Sequence, residues 1–129
     1  MKFKYTILYV ENVTTTIEFF ENAFGFKRTM IHEGGDYGEL NTGDTTLSFS
    51  AMSLMKELGK SPARADASSP TFELAFETDD VAPMLDKAIK AGAILVQGVE
   101  EMPWGQTTAY VTDMNGFLIE ICSPVRNQQ

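Results

Sequence analysis

The stretch YTILYVENV at residues 5–13 is answered by ELAFETDDV at residues 73–81, at a constant offset of 68 residues from Tyr5 to Glu73 and from Val13 to Val81. Each copy is a short apolar run, a polar pair (Glu11-Asn12 or Asp79-Asp80) and a valine. Helical signals follow both times. After Asn12 or Thr14 as N-cap, Val13, Ile17, Phe20 and Phe24 recur at near-helical spacing until Gly25; after Asp80, Val81, Leu85, Ala88 and Ile89 do so until Gly92. Three strand-like segments come next in each copy: KRTMIHE, YGELNTG and TTLSFSA in the first, AILVQGVEE, TTAYVTD and GFLIEICSP in the second. Gly34-Gly35, Gly43-Asp44, Pro103-Trp104-Gly105 and Asn115-Gly116 mark the turns. The chain therefore reads as an α+β protein with β-α-β-β-β written twice, residues 1–52 and 71–124. Residues 53–70 join the copies, opening with a helical turn in SLMKELG and continuing as the linker KSPARADASSP, and residues 125–129 form a tail.

Composition narrows the partners. Ten basic against eighteen acidic residues leave a formal charge of -8, which repels nucleic acid and anionic membrane and favours a cationic ligand. No stretch reaches the ~18 to 20 apolar residues of a membrane span. The opening MKFKYTILYVEN is too short and too polar at Tyr5-Thr6 for a secretory leader. The single cysteine, Cys122, excludes an internal disulfide and a multi-cysteine zinc site and fits a cytoplasmic protein. No phosphate-binding glycine loop or nucleophile elbow is present.

One acid stands out. In NGFLIEIC, Glu120 lies between two isoleucines and shares a strand face with Leu118 and Cys122. A carboxylate stranded in such a place costs several kcal/mol, roughly 3 to 5 once its partner is lost.

The duplicated unit resembles the vicinal oxygen chelate superfamily, the glyoxalase, bleomycin resistance and extradiol dioxygenase proteins. The most specific likenesses are YVENVTTTIEFFENAFGF, similar to the family's first strand and helix, and WGQTTAYVTDMNGFLIEI, similar to its closing hairpin with a Trp-Gly turn and an Asp-x-x-Gly loop. Met114-Asn115 and Phe117 depart from the residues common there. The resemblance implies a curved mixed sheet around a cleft, assembly as a homodimer, and metal ligands on the first and fourth strand of each unit. By alignment those positions are Tyr5 and Ser48 in the first half and Glu73 and Glu120 in the second.

Strand parity then turns Tyr5, Ile7 and Tyr9, Thr46, Ser48 and Ser50, and Glu73, Ala75 and Glu77 toward the cleft, with Leu8, Val10, Leu47, Phe49, Leu74 and Phe76 under the helices. A catalytic divalent ion usually takes three histidine, carboxylate or thiolate ligands, and only Glu73 and Glu120 qualify among the four positions. The one histidine, His32, belongs to a hairpin away from them. The expectation is therefore a protein without a metal cofactor. A weak oxygen-only magnesium or manganese site at Glu73 and Glu120 is the other reading. Two acids in one cleft also disfavour double ionisation, which makes Tyr5, Ser48 or a ligand amine natural hydrogen-bond partners.

Trp104 offers an indole face for an aromatic or cationic group, and Tyr110, with Tyr37, Glu39 and Gln106, can reach the cleft. Two functions follow. The first is a small-molecule-binding protein, resembling the bleomycin resistance branch and its antibiotic sequestration, with Tyr5, Ile7, Ser48, Glu73, Trp104 and Tyr110 lining the ligand site. The second is a glyoxalase-like lyase or isomerase in which Glu120 is the catalytic base, with or without a weakly bound divalent metal.

Overall fold

The computed structural model describes residues 1–126, so the last three residues of the expected tail lie outside the described part. The chain separates into two compact units, Met1–Arg64 and Ala65–Gln129. The first contains β1 (Tyr5–Val10), α1 (Val13–Phe24), β2 (Lys27–Ile31), β3 (Tyr37–Asn41), β4 (Thr46–Ala51) and α2 (Met52–Glu57). The second contains β5 (Leu74–Glu77), α3 (Val81–Lys90), β6 (Ile94–Met102), β7 (Gln106–Thr112) and β8 (Leu118–Cys122). Each unit carries one four-stranded mixed sheet, ordered β1-β4-β3-β2 or β5-β8-β7-β6. In both, the first strand runs parallel to the fourth and the remaining pairs are antiparallel. This is the α+β, β-α-β-β-β duplication expected from the repeat.

The helices form where the caps place them. Asn12 Oδ1 accepts the backbone N–H of Thr15 at 2.9 Å, and the Thr16 hydroxyl donates to the Asn12 carbonyl at 2.7 Å. Gly25, at φ 77°, ends α1 in the left-handed region. In the second unit Asp80 holds the N-cap position of α3, yet its side chain makes no capping bond; its own N–H donates to Thr78 Oγ1 at 3.2 Å. Lys87 and Lys90 in the last turn favour the carbonyl end of that helix. The short helix α2 opens the joint and buries Met52 and Met55.

Each sheet has one face under its helix. Leu8, Val10, Leu40, Leu47 and Phe49 bury with Ile17 and Phe20 of α1, and Val111, Ile119 and Ile121 bury alongside Leu85 and Ala88 of α3. The Phe20 ring packs against Phe49 at 5.3 Å between centroids. The opposite face carries the polar residues, so strand parity decides which side chains are available for binding.

The loop before β8 closes the second sheet. Asp113 Oδ1 accepts the N–H groups of Asn115 at 3.0 Å and Phe117 at 2.9 Å, while Oδ2 accepts Asn115 Nδ2 at 2.8 Å. Gly116 has φ 89°, and a Cβ there would stand 2.5 Å from the Ala65 carbonyl oxygen. Gly116→Ala is therefore expected to lower the unfolding free energy by about 2 kcal/mol or more, from backbone strain and overpacking together. A urea titration measures it.

Candidate functional site

Parallel pairing of the first and fourth strands sets one polar row across each sheet. In the first unit the register aligns Met30, Glu39, Ser48 and Ile7 across β2, β3, β4 and β1. In the second it aligns Gln97, Tyr110, Glu120 and Ala75 across β6, β7, β8 and β5. Directly opposed residues share a face. Ser48 and Glu120 thus hold equivalent places, as do Glu39 and Tyr110.

The second unit draws its two acids onto one phenol. Tyr110 Oη lies 2.9 Å from Glu120 Oε2 and 3.1 Å from Glu73 Oε2. Burial first, and then the bonds to Glu120 and Glu73, push this phenol well above its ordinary value, so Tyr110 stays protonated. A phenol carries one proton and donates it to one acceptor at a time. Three oxygens from two carboxylates and one hydroxyl thus share a single donor. Counting these side chains alone, the cluster is one donor short, and Glu73 is exposed to solvent.

The first unit solves the same problem internally. Tyr37 Oη stands 2.7 Å from Glu39 Oε2 and 3.1 Å from Ser48 Oγ. Here the phenol proton goes to the carboxylate, and the Ser48 hydroxyl brings its own proton to the phenolic oxygen. Burial raises Tyr37 most, and the Ser48 contact opposes the shift. Ser48 is fully buried and satisfied. Glu39 supplies a carboxylate in the row where Ser48 has none.

The other expected residues scatter. Tyr5 and Ile7 are 43% and 46% exposed on β1, and Lys4 Nζ sits 5.7 Å from the centre of the Tyr5 ring. Trp104 is 55% exposed in the β6–β7 turn, with its indole N–H donating to Gln106 Oε1 at 2.7 Å; Gln106 Nε2 in turn donates to the Ser123 carbonyl at 3.0 Å. Gln106 precedes Tyr110 by four strand residues, about 14 Å at ~3.4 Å per residue. Trp104 therefore lies well apart from the Glu73–Tyr110–Glu120 cluster along β7. His32 lies on the hairpin, exposed, 3.9 Å from Asp36.

Cys122, two residues beyond Glu120, is buried, and burial followed by the Glu120 charge pushes its thiol up to about 11. At pH 8 its thiolate fraction is then roughly a hundredfold below that of an unperturbed thiol. An aromatic disulfide reagent is expected to leave the native thiol unmodified for minutes and to titrate one thiol after unfolding in urea; rapid native reaction would contradict the burial.

Sequence reasoning missed two features. It places Tyr110 among several residues that can reach the cleft and pairs the acids with Tyr5, Ser48 or a ligand; the structure joins them through Tyr110. Gln97 draws no attention in the sequence because it lies in the apolar run AILVQGVEE. The pairing of β6 with β7 cannot be read from that run.

The chemistry of the donors bears on a metal. Among the described residues, no three His, Cys, Asp or Glu side chains gather to hold an ion. The second unit offers two carboxylates and a phenol held in its protonated form, which does not match the three-ligand pattern of a catalytic centre. Among the described residues, too, no helix is long and apolar enough to cross a membrane.

Comparison with known proteins fits this architecture. A glyoxalase-like domain model matches residues 3–126. Among curated proteins, none matches the sequence. Solved structures do: a glyoxalase-related enzyme from Fulvimarina pelagi has a TM-score of 0.82 at 18% identity, over 95% of this chain and 88% of that one. A glyoxalase/bleomycin resistance protein/dioxygenase family enzyme from Burkholderia phytofirmans PsJN has a TM-score of 0.77 at 20% identity, over 95% and 98%. TioX from Micromonospora sp. ML1 has a TM-score of 0.72 at 20% identity, again over 95% and 98%. At such identities the structural likeness speaks for the fold, while the domain match spans nearly the whole chain. The chain belongs to the glyoxalase-like family of the vicinal oxygen chelate superfamily.

Proposed function

We propose that this chain is a small-molecule-binding protein that takes a cationic organic ligand at Glu73, Tyr110 and Glu120, without a metal cofactor. One observation carries the reading: a single phenol proton is shared between two carboxylates. An ammonium group brings three donors and a positive charge, and so completes the cluster. The charge of -8 adds long-range attraction for such a ligand. An apolar or aromatic body on the amine reaches along the sheet face toward Trp104.

Calorimetric titration with 2-phenylethylamine, followed in parallel by the fluorescence of the single tryptophan, tests the proposal. Saturable binding that weakens with added salt is expected; a flat titration with this and other aromatic amines would count against it.

A second reading has its own support. In it Tyr110 donates a hydrogen bond to a developing oxyanion while Glu120 takes a proton next to a carbonyl, and the support is a phenol kept protonated beside Glu120. That reading predicts exchange of a carbonyl-adjacent proton into deuterated water, lost in Glu120→Gln. Simple binding predicts no exchange.

A further inference from the structure

The row that carries Glu120 ends on Gln97, beyond the three residues of the amine site. We infer that Gln97, together with the Thr108 hydroxyl two residues before Tyr110 on β7, is a second recognition point, and that the ligand is an amine bearing a carbonyl or hydroxyl oxygen a few atoms from its cationic nitrogen. This rests on the proposed amine site and extends it from one charge to a two-point pattern.

The placement of Gln97 comes from a β-bulge. Along β6 and β7, Leu95 opposes Val111 and Gln97 opposes Tyr110, so two steps on β6 match one on β7. An unbroken ladder would put Val96 opposite Tyr110; the bulge puts an amide there instead. A second irregularity follows between Gln97 and Glu100, so this one residue is held between two departures from regular pairing. The first unit has a bulge at the same place, between Arg28 and Met30, and sets Met30 opposite Glu39. The backbone device occurs in both units, but only the second uses it to present a polar group.

A second observation points to a ligand. Among the described residues, Gln97 Nε2 and Thr108 Oγ1 are the buried side-chain polar atoms without a hydrogen-bond partner. Thr108 is 1% exposed, and by strand parity it shares the face of Tyr110 two residues away. Buried donors are normally paired, and leaving one unmade is costly. Gln97 is half-buried, and the rotatable bonds of its side chain let the amide turn toward a molecule on the row. The row then reads in order as unpaired donor, phenol, and acceptors one donor short. A molecule with an acceptor oxygen and a cationic nitrogen answers both deficits at once.

Two probes separate this inference from the reading beneath it: 2-phenylethylamine, which has the amine alone, and phenylalaninamide, which adds a carbonyl beside it. Wild-type protein is expected to bind phenylalaninamide at least about tenfold more tightly, the gain of roughly one well-made hydrogen bond to a buried donor. In Gln97→Met, which installs the residue of the first unit's row, the ratio of the two affinities is expected to fall to about one, and Thr108→Val should reduce it as well. Equal affinities in the wild type, or an undiminished ratio in both variants, would overturn the second recognition point while leaving the amine site standing. Absence of binding by either probe would overturn both.

Discussion

Glu120→Gln is expected to weaken 2-phenylethylamine by roughly 10- to 100-fold, the loss associated with one charge-assisted hydrogen bond of about 1.5 to 3 kcal/mol. The substitution keeps the size and one acceptor oxygen but removes a charge and adds donors. In the native protein Tyr110 stands between Glu120 at 2.9 Å and Glu73 at 3.1 Å, and the acceptors outnumber the available protons. Glutamine reverses this balance, because its amide can donate to Tyr110 or Glu73 and close the cluster as Ser48 closes the one in the first unit. The affinity of an ammonium group falls for two reasons at once, lost attraction and lost vacancy among the acceptors. Tyr110→Phe supplies the contrast. It leaves both carboxylates without their shared donor, so binding of the amine is expected to persist or strengthen while stability drops. Equal affinity for the amine in wild type and Glu120→Gln would show that the cation goes elsewhere.

The second large effect concerns stability. Asp113→Ala is expected to cost about 3 to 5 kcal/mol, measured by denaturant unfolding, because it removes at once the acceptor of the buried N–H groups of Asn115 and Phe117 and of the Asn115 amide. Asp113 is 1% exposed, and its burial outweighs these hydrogen bonds in pushing the carboxyl above its usual range. The charge is therefore a burden that the loop tolerates in exchange for three accepted bonds. Asp113→Asn keeps an acceptor oxygen for the two backbone groups and removes the charge, so its cost is expected to stay near 1 kcal/mol, the scale of one ordinary hydrogen bond. A loss as large as that of alanine would mean that the charge itself holds the loop.

Asp113 and Glu120 also mark how far the amino-acid sequence alone can be read. Both belong to TDMNGFLIEIC, a run in which turn residues precede a short strand, and the face of each side chain follows from parity. The same logic locates the helix start at Asn12 and its stop at Gly25, where local chemistry alone decides the backbone. It is less complete at Asp80, which takes the cap position without making the capping bond; the third helical residue, whose N–H Asn12 accepts in α1, is here Pro83, which has none.

The candidate site is only partly legible in the sequence for a physical reason. Alternation assigns side chains to a face, but it says nothing about how far a strand has slipped against its neighbour. In β6 the run ILVQGVEEM has apolar residues on both faces, so neither register nor bulge can be inferred from it. The contact of Tyr110 with both acids depends on the pairing of β7 with β8 and on the approach of Glu73 just before β5. Those are long-range facts. The acids can be named from the repeat; the phenol that joins them requires the sheet.

A crystal structure of the protein soaked with 2-phenylethylamine tests the central claim most directly. The account predicts the ammonium nitrogen within about 3.2 Å of carboxylate oxygens from both Glu73 and Glu120, with the Tyr110 hydroxyl still in contact with one of them. Glu73 and Glu120 found turned away from Tyr110, or the amine seated on another surface with this cluster unchanged, would contradict it.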